Sequence, residues 1–566
     1  MSTRAVSCIL CWCVAVLTGC GTDIAQTAEY RGRPGFECTP ATENAVLPEA
    51  EPWLGTRSAA QFPLVSSTYD RGEGPGIVVV SRDAFRLYVN DELLIESEQA
   101  FQPIFVGYTF LPGRNLISIV AAGADRPPRV AVRIDELERM HVSNGDWLVS
   151  VAPAPGWRTA AFDDSGWTAA VDYGDPTSQA NCGDLGAVFS SSQARWIGAP
   201  DPSNTLMALR YRLDILPDGF GEKTTGGEVS NVTVVTDVAS LRAAVEGDPT
   251  PRVVVIPEGT LDGRLGDAAA KSQLACPTAC DNSSVTQYVV LPPAANCSVE
   301  QVAMKRYEDR IKVAANKTLM GLGRGAHLRG MWFDLSNSSN LILRNLSFFD
   351  INPHLIEAGD GLSFNRTSRA WIDHCTFKWI SDGFTDVYDS STGVTVSWSR
   401  FDGENDLECH ARHLRASEII DSEATFHHCW WQHVEGRAPF AHGSNARVHL
   451  YNNVVTDALD YAVASGCEAQ VLLEASYFED VQFPTSRRDC TETPGQLGFI
   501  QAAGRANLYG SRMQSHLRAD TAAEEPADPV FEPPYPYDTE PANEVRFKVY
   551  ERAGAGSQWA LPLRLD

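Results

Sequence analysis

Asn340-Leu-Ile-Leu-Arg-Asn-Leu346, Ala370-Trp-Ile-Asp-His374, Gly393-Val-Thr-Val-Ser-Trp398, Glu423-Ala-Thr-Phe-His-His428, Ala446-Arg-Val-His-Leu-Tyr-Asn-Asn453 and Ala469-Gln-Val-Leu-Leu-Glu474 are short β-rich runs separated by turn residues. They recur at intervals of roughly 20–25 residues, the period of a stacked coil. A single run of this length cannot bury its own apolar face, so each rung must be covered by its neighbours. Inward Val, Ile and Leu then make a continuous core, and Asn345 and Asn453 are candidates for an amide ladder along the axis. The expected fold class is all-β.

Working outward, the coil is expected over residues 229–517, with a decorated insertion at about 262–312. The tail, residues 518–566, starts Pro-rich and acidic and ends in Glu544-Val-Arg-Phe-Lys-Val-Tyr-Glu-Arg-Ala-Gly-Ala-Gly556, part of which is expected to form a helix packed on the coil. Leu216-Pro-Asp-Gly-Phe-Gly-Glu-Lys-Thr-Thr-Gly-Gly227 opens a Gly-rich linker, residues 216–228. Before it, residues 51–215 alternate in short strands such as Gly76-Ile-Val-Val-Val-Ser81 and Phe85-Arg-Leu-Tyr-Val-Asn90, the pattern of a β-sandwich. Residues 20–50 read as a tether. Residues 1–19 read as an export signal, with Arg4 ahead of an apolar stretch too short to span a bilayer.

Export implies an oxidising compartment. Beyond Cys20 there are ten cysteines, an even number that suits disulfides but does not give their connectivity. Local bridges involving Cys297, and joining Cys467 to Cys490, are expected, with Cys375 and Cys429 as buried thiols. The formal net charge is −26, which disfavours nucleic-acid binding. It also sets a problem for an acidic polymer, which would need a local basic cleft or bridging cations.

Several motifs carry resemblances. Leu17-Thr18-Gly19-Cys20 resembles the bacterial lipoprotein cleavage box, which implies a lipid on Cys20 and a membrane-anchored protein, at the outer membrane or cell surface; plain secretion is the alternative. The Tyr-Val-Asn strand, Leu111-Pro-Gly-Arg-Asn115 and Phe162-Asp-Asp-Ser-Gly-Trp167 resemble galactose-binding-like jelly rolls, whose tryptophans are more often core than sugar platforms. From about Val229 to Gly556 the chain resembles the pectate lyase superfamily. Arg252-Val-Val-Val-Ile-Pro-Glu-Gly-Thr260, Asn316-Lys-Thr-Leu-Met-Gly-Leu-Gly323, Trp371-Ile-Asp-His374, Phe426-His-His428 and Val448-His-Leu-Tyr-Asn-Asn453 carry that likeness in the right order. It implies a right-handed parallel β-helix, preceded here by the jelly-roll sandwich.

That resemblance also implies chemistry: calcium-dependent β-elimination on pectate, by a monomer. Asp360, Asp382 and Asp386 align with the family's calcium aspartates, and hard carboxylate oxygens are what Ca2+ takes. Four residues apart on an extended rung, Asp382 and Asp386 would share a face. Arg437 matches the proton-abstracting arginine; because a guanidinium titrates near or above 12, the alternative role is a cation that stabilises the developing charge. Two positions depart from the pattern. His442 stands where a second arginine is usual. Ala411 stands at a substrate-binding lysine, leaving Arg412 or Arg415 to meet the substrate carboxylate. His410, His413 and His442 are further cleft candidates. The departures keep two alternatives open: a lyase for another uronate or a modified pectin, and a non-catalytic glycan-binding protein.

Overall fold

The structure is a computed structural model that describes residues 76–557, apart from 109, 137–138, 179–184, 191, 281–283, 291–296, 298, 323–325, 492, 503–504, 511–517 and 520–529. The signal, the tether, Cys20, Cys38, Cys182 and residues 51–75 lie outside the described residues. No helix among the described residues is long and apolar enough to cross a membrane.

From Val232 onward the chain winds into a parallel β-helix. Three sheets of ten, nine and nine strands run its length. Sheet A runs from Val232–Val234 to Phe499–Gln501, sheet B from Gly259–Asp262 to Leu508–Tyr509, and sheet C from Asp309–Lys312 to Arg518–Ala519. Rungs follow one another at about 4.8 Å, so like side chains stack along the axis. Phe348, Phe377, Phe401 and Trp431 form such a column, with ring centroids 5.3, 5.2 and 4.7 Å apart, all fully buried.

The corner from sheet A to sheet B turns on one left-handed residue per coil: Asn345, His374, Trp398, His428, Asn452 and Ala475 in succession. That conformation costs a non-glycine residue about 1–2 kcal/mol. Here it is offset by stacking; the Trp398 and His428 rings lie 4.2 Å apart. The following position forms the expected ladder, with mixed members. Cys429 N–H donates to Asn453 at 2.9 Å, Asn453 N–H to Ser476 at 3.1 Å, and Ser476 N–H to Asn507 at 2.9 Å. Asn345 sits at the left-handed position instead and donates to the Gly321 carbonyl at 2.9 Å. Cys375 and Cys429 are buried free thiols.

Residues 76–215 form two six-stranded antiparallel sheets with a shared core. Trp147, Trp157 and Trp196 are fully buried, so these rings pack inside and offer no sugar platform. The Gly-rich stretch after this unit is bonded across sheet A. Phe220 N–H donates to Thr425 at 3.0 Å, Gly221 N–H to Thr395 at 2.9 Å and Gly227 N–H to Thr318 at 2.9 Å. At the other end, helix Ala542–Arg552 lays Val545 and Val549 against Trp398, Val454 and Tyr477.

The insertion contains a small antiparallel sheet, Lys271–Ala279 paired with Thr286–Val290 and Val302–Arg306. Cys276–Cys297 closes it locally, and Cys467–Cys490 joins two late coils. A third bridge, Cys280–Cys409, ties the insertion to residues 403–417 across a sequence separation of 129. Both segments stand beside the corner from sheet B to sheet C.

Candidate active site

That corner gathers the expected acids. Asp360 precedes strand Leu362–Asn365, Asp382 precedes strand Thr385–Tyr388, and Asp386 lies on the latter. Asp382 sits in the turn and not on an extended rung, so alternation along a strand is not what pairs it with Asp386. The turn folds back over the strand instead. Gly383 makes this possible, because a Cβ there would lie 2.1 Å from Asp386 Oδ1.

Along the outer face of sheet C, Ser363 pairs with Asp386, and Glu418 pairs with Phe440. Val387 opposite Ile419 sets Asp386 beside Glu418. The outward row therefore reads Ser363, Asp386, Glu418, Phe440, Ala464. A second row, two residues along each strand, reads Asn365, Tyr388, Ile420, His442, Gly466.

Asp386 is buried and accepts the Glu418 N–H at 2.9 Å and the Tyr388 hydroxyl. Asp360 accepts the Ser363 hydroxyl. Burial and the Asp382 carboxylate push Asp360 up to about 7. Burial also raises Asp382, and burial with the charges of Asp360 and Asp382 raises Asp386 well above the carboxylate range. Desolvated, mutually repelling carboxylates of this kind mark functional sites.

Their donor set fits a divalent cation with a preference for hard oxygens, such as Ca2+. The three carboxylates are spaced more openly than a closed cage. Among the described residues one set of three metal-capable side chains has its ligand atoms within 4.8 Å of one another, and it is His442, Cys467 and Cys490. Two of those are joined in a disulfide, which removes them as thiolate ligands.

Arg437 reaches the same cluster from two coils beyond Asp386, just before strand Phe440–His442. Its backbone is left-handed (φ 61), and its carbonyl accepts the Ser417 N–H at 2.8 Å. Gly436 lets the turn sit against Tyr461, where a Cβ would come 2.8 Å from the ring. The guanidinium donates to Glu418 at 2.9 Å. Burial pulls its pKa down, but the charges of Glu418, Tyr461, Asp386 and Asp382 outweigh that and hold it above the ordinary arginine value.

The other expected residues divide. Arg415 pairs with Glu357, and its pKa is lowered by burial and by the charge of Arg437, which places it in the cluster. His442 lies on the same face, its ring 5.6 Å from Phe440 and its Nε2 2.9 Å from Cys467 Sγ. Arg412 is not brought to the cluster by any of its contacts: it pairs with Asp457 at 2.7 Å and donates to the His410 carbonyl. His410 pairs with Glu435 at 2.8 Å. His413 is buried against Phe384, with centroids 4.5 Å apart; Nδ1 faces Glu408 at 3.0 Å and Nε2 the carbonyls of Asp382 and Arg415 at 2.9 and 3.0 Å. It locks the Asp382 turn to the segment that carries Arg415. Glu418 was not expected from the sequence; its one signal was its place at the start of a weak rung. Trp371-Ile-Asp-His374 serves sheet A, away from the site face. Asp373 there is buried, bonded to Arg344 at 3.0 Å and His374 at 2.8 Å, and held down to about 2 against the opposing effect of burial.

A family profile described as pectate lyase matches residues 278–558. A probable pectin lyase F of Aspergillus flavus is 30% identical over 301 residues, covering 50% of this chain and 68% of that protein. A probable pectin lyase E of Aspergillus niger is 28% identical over 312 residues, covering 53% and 80%. A pectate lyase from a Bacillus species, solved in complex with trigalacturonate, is 20% identical with a TM-score of 0.43, covering 60% of this chain and 99% of its own. Pectate lyase II of Xanthomonas campestris is 19% identical with a TM-score of 0.41, covering 61% and 99%. The chain belongs to the pectate lyase family, and it is an enzyme, a polysaccharide lyase.

Proposed function

We propose that this lyase cleaves pectic galacturonan by calcium-dependent β-elimination, with Arg437 as the base. The observation that carries the reading is the set of three desolvated carboxylates, Asp360, Asp382 and Asp386, gathered with Arg437 at the corner from sheet B to sheet C. The relatives named pectin lyase and the pectate lyase profile support a pectic substrate.

Asp360, Asp382 and Asp386 would hold the calcium, whose charge would neutralise a galacturonate carboxylate and acidify the C5 proton. As the neutral guanidine, Arg437 would take that proton; the electron pair would form the C4–C5 double bond as the C4–oxygen bond breaks, and the departing oxygen would take a proton from water. Positive charge at the aspartates acts on Arg437 in the opposite sense to Glu418, favouring the neutral guanidine. Arg415 and His442 stand on the same face to hold the sugar. Arg412, tied to Asp457, would contribute only after leaving that partner.

Ultraviolet absorbance of unsaturated product from polygalacturonate tests this. Activity should vanish with a chelator and return with calcium. Turnover that survives the chelator excludes the mechanism, and binding without turnover supports a glycan-binding role instead. Export and lipid attachment at Cys20 complete the proposal. Labelled palmitate should enter the wild-type chain and not Cys20→Ala. A sugar-binding role for the N-terminal sandwich is the remaining part, and glycan-array binding by the whole chain tests it.

A further inference from the structure

We infer that Glu418 is a specificity-determining residue: it makes the sugar site over the Glu418 and Phe440 rungs prefer an uncharged, methyl-esterified galacturonate to a free one. This rests on the pectic reading above and adds the ester state of one subsite.

Register sets the geometry. Outward rows cross the strands, and a rung advances about 4.8 Å, roughly one sugar of an extended 1,4-linked chain. A chain laid along the row puts one sugar over Asp386 and the next over Glu418 and Phe440. The chemistry of the face changes at that step. Ser363, Asp386 and Asp360 are polar, whereas at the next step Ile420 and Phe440 present half-exposed apolar side chains, with His442 beside them.

The charges point the same way. Arg437 is already matched by Glu418 at 2.9 Å and Arg415 by Glu357. A free galacturonate carboxylate at this step would have to displace Glu418 from Arg437 or lie beside it, and like charges so placed are strongly disfavoured. A methyl ester carries no charge, and its methyl group packs on Phe440, over whose ring Arg437 already lies at 5.8 Å. Calcium at the aspartates leaves this second step unchanged, because it neutralises the sugar one rung away. The polymer that satisfies both steps is partly esterified pectin.

The test compares kcat/KM on fully de-esterified polygalacturonate and on pectin of intermediate esterification, at one calcium concentration. Wild-type enzyme should favour the part-esterified polymer by about tenfold. Glu418→Gln should bring the ratio close to one. Any general effect of losing the partner of Arg437 cancels in the ratio. Phe440→Lys, at a half-buried surface position, should lower the ratio independently, and serves if Glu418→Gln fails to fold by thermal melt. A wild-type preference for polygalacturonate, or a ratio unmoved in both variants, overturns the inference. Loss of chelator-sensitive product on both polymers in the wild type would instead remove the lyase reading on which it stands.

Discussion

The carboxylate of Asp386 accepts the backbone N–H of Glu418 at 2.9 Å. One hydrogen bond thus joins the buried acid of one coil to the strand of the next, whose side chain in turn holds Arg437. The acids and the guanidinium are fixed relative to each other by the stacking of four consecutive coils, so their chemistry is coupled to the β-helix itself.

Asp386→Asn should lose at least about 100-fold in kcat, the scale of removing a preorganised electrostatic group. It should also stabilise the metal-free protein. Asp360 titrates at about 7 in the folded state, against about 3.9 unfolded. Between those values the folded chain binds more protons, so its stability falls as pH rises from about 4 to 7. Asp386 is raised in the same sense, by burial and by the charges of Asp360 and Asp382, so replacing it with a neutral amide removes one acid whose ionisation the fold opposes. Melting in chelator at pH 5 and pH 8 checks it: the variant should melt above wild type at pH 8 and close to it at pH 5.

His413 should contribute stability as an imidazolium. Both ring nitrogens face acceptors, and although burial opposes the charged form, Glu408 and the Asp382 carbonyl raise the pKa above its usual value. The contribution is complete below about pH 6.5 and is lost as pH rises through the higher folded value. His413→Gln should therefore cost about 2 kcal/mol at pH 6, and less at pH 9, by denaturant titration.

Gly436→Ala should lower kcat about tenfold with little change in KM, because the added methyl meets the Tyr461 ring and shifts the Arg437 turn. Adding Tyr461→Ala should restore part of the rate. A double variant no faster than Gly436→Ala would show that the clash is not the cause.

Phe401→Ala should destabilise the coil by about 3–5 kcal/mol, since it opens a hole in the aromatic column between Phe377 and Trp431. Urea unfolding measures this directly, and a loss below about 1 kcal/mol would mean the column relaxes to fill the space.

The rungs were legible in sequence because each repeats the same inward pattern, as in Gly393 to Trp398 and Glu423 to His428. Asp360, Asp386 and Arg437 were legible through motif order. Glu418 was not, since its meaning lies in pairing with Phe440 and standing beside Asp386, which depends on how many residues the 403–417 segment inserts. The same segment hid the separation of Arg412 from Arg415: three residues apart in sequence, they pair with different acids, Asp457 on strand Val454–Ala458 and Glu357 in the turn before Leu362–Asn365. Local bridges at Cys297 and between Cys467 and Cys490 followed from proximity in the chain, whereas Cys280–Cys409 depends on two insertions meeting in space.

The most direct measurement is a crystal structure of Arg437→Ala, soaked with calcium and a galacturonate oligosaccharide. The expected result is a calcium peak bridging Asp360, Asp382 and Asp386 to a sugar carboxylate, with C5 of that sugar turned to the space left by the guanidinium. Calcium bound elsewhere, or a sugar whose C5 faces away from position 437, would contradict calcium-assisted elimination at this site.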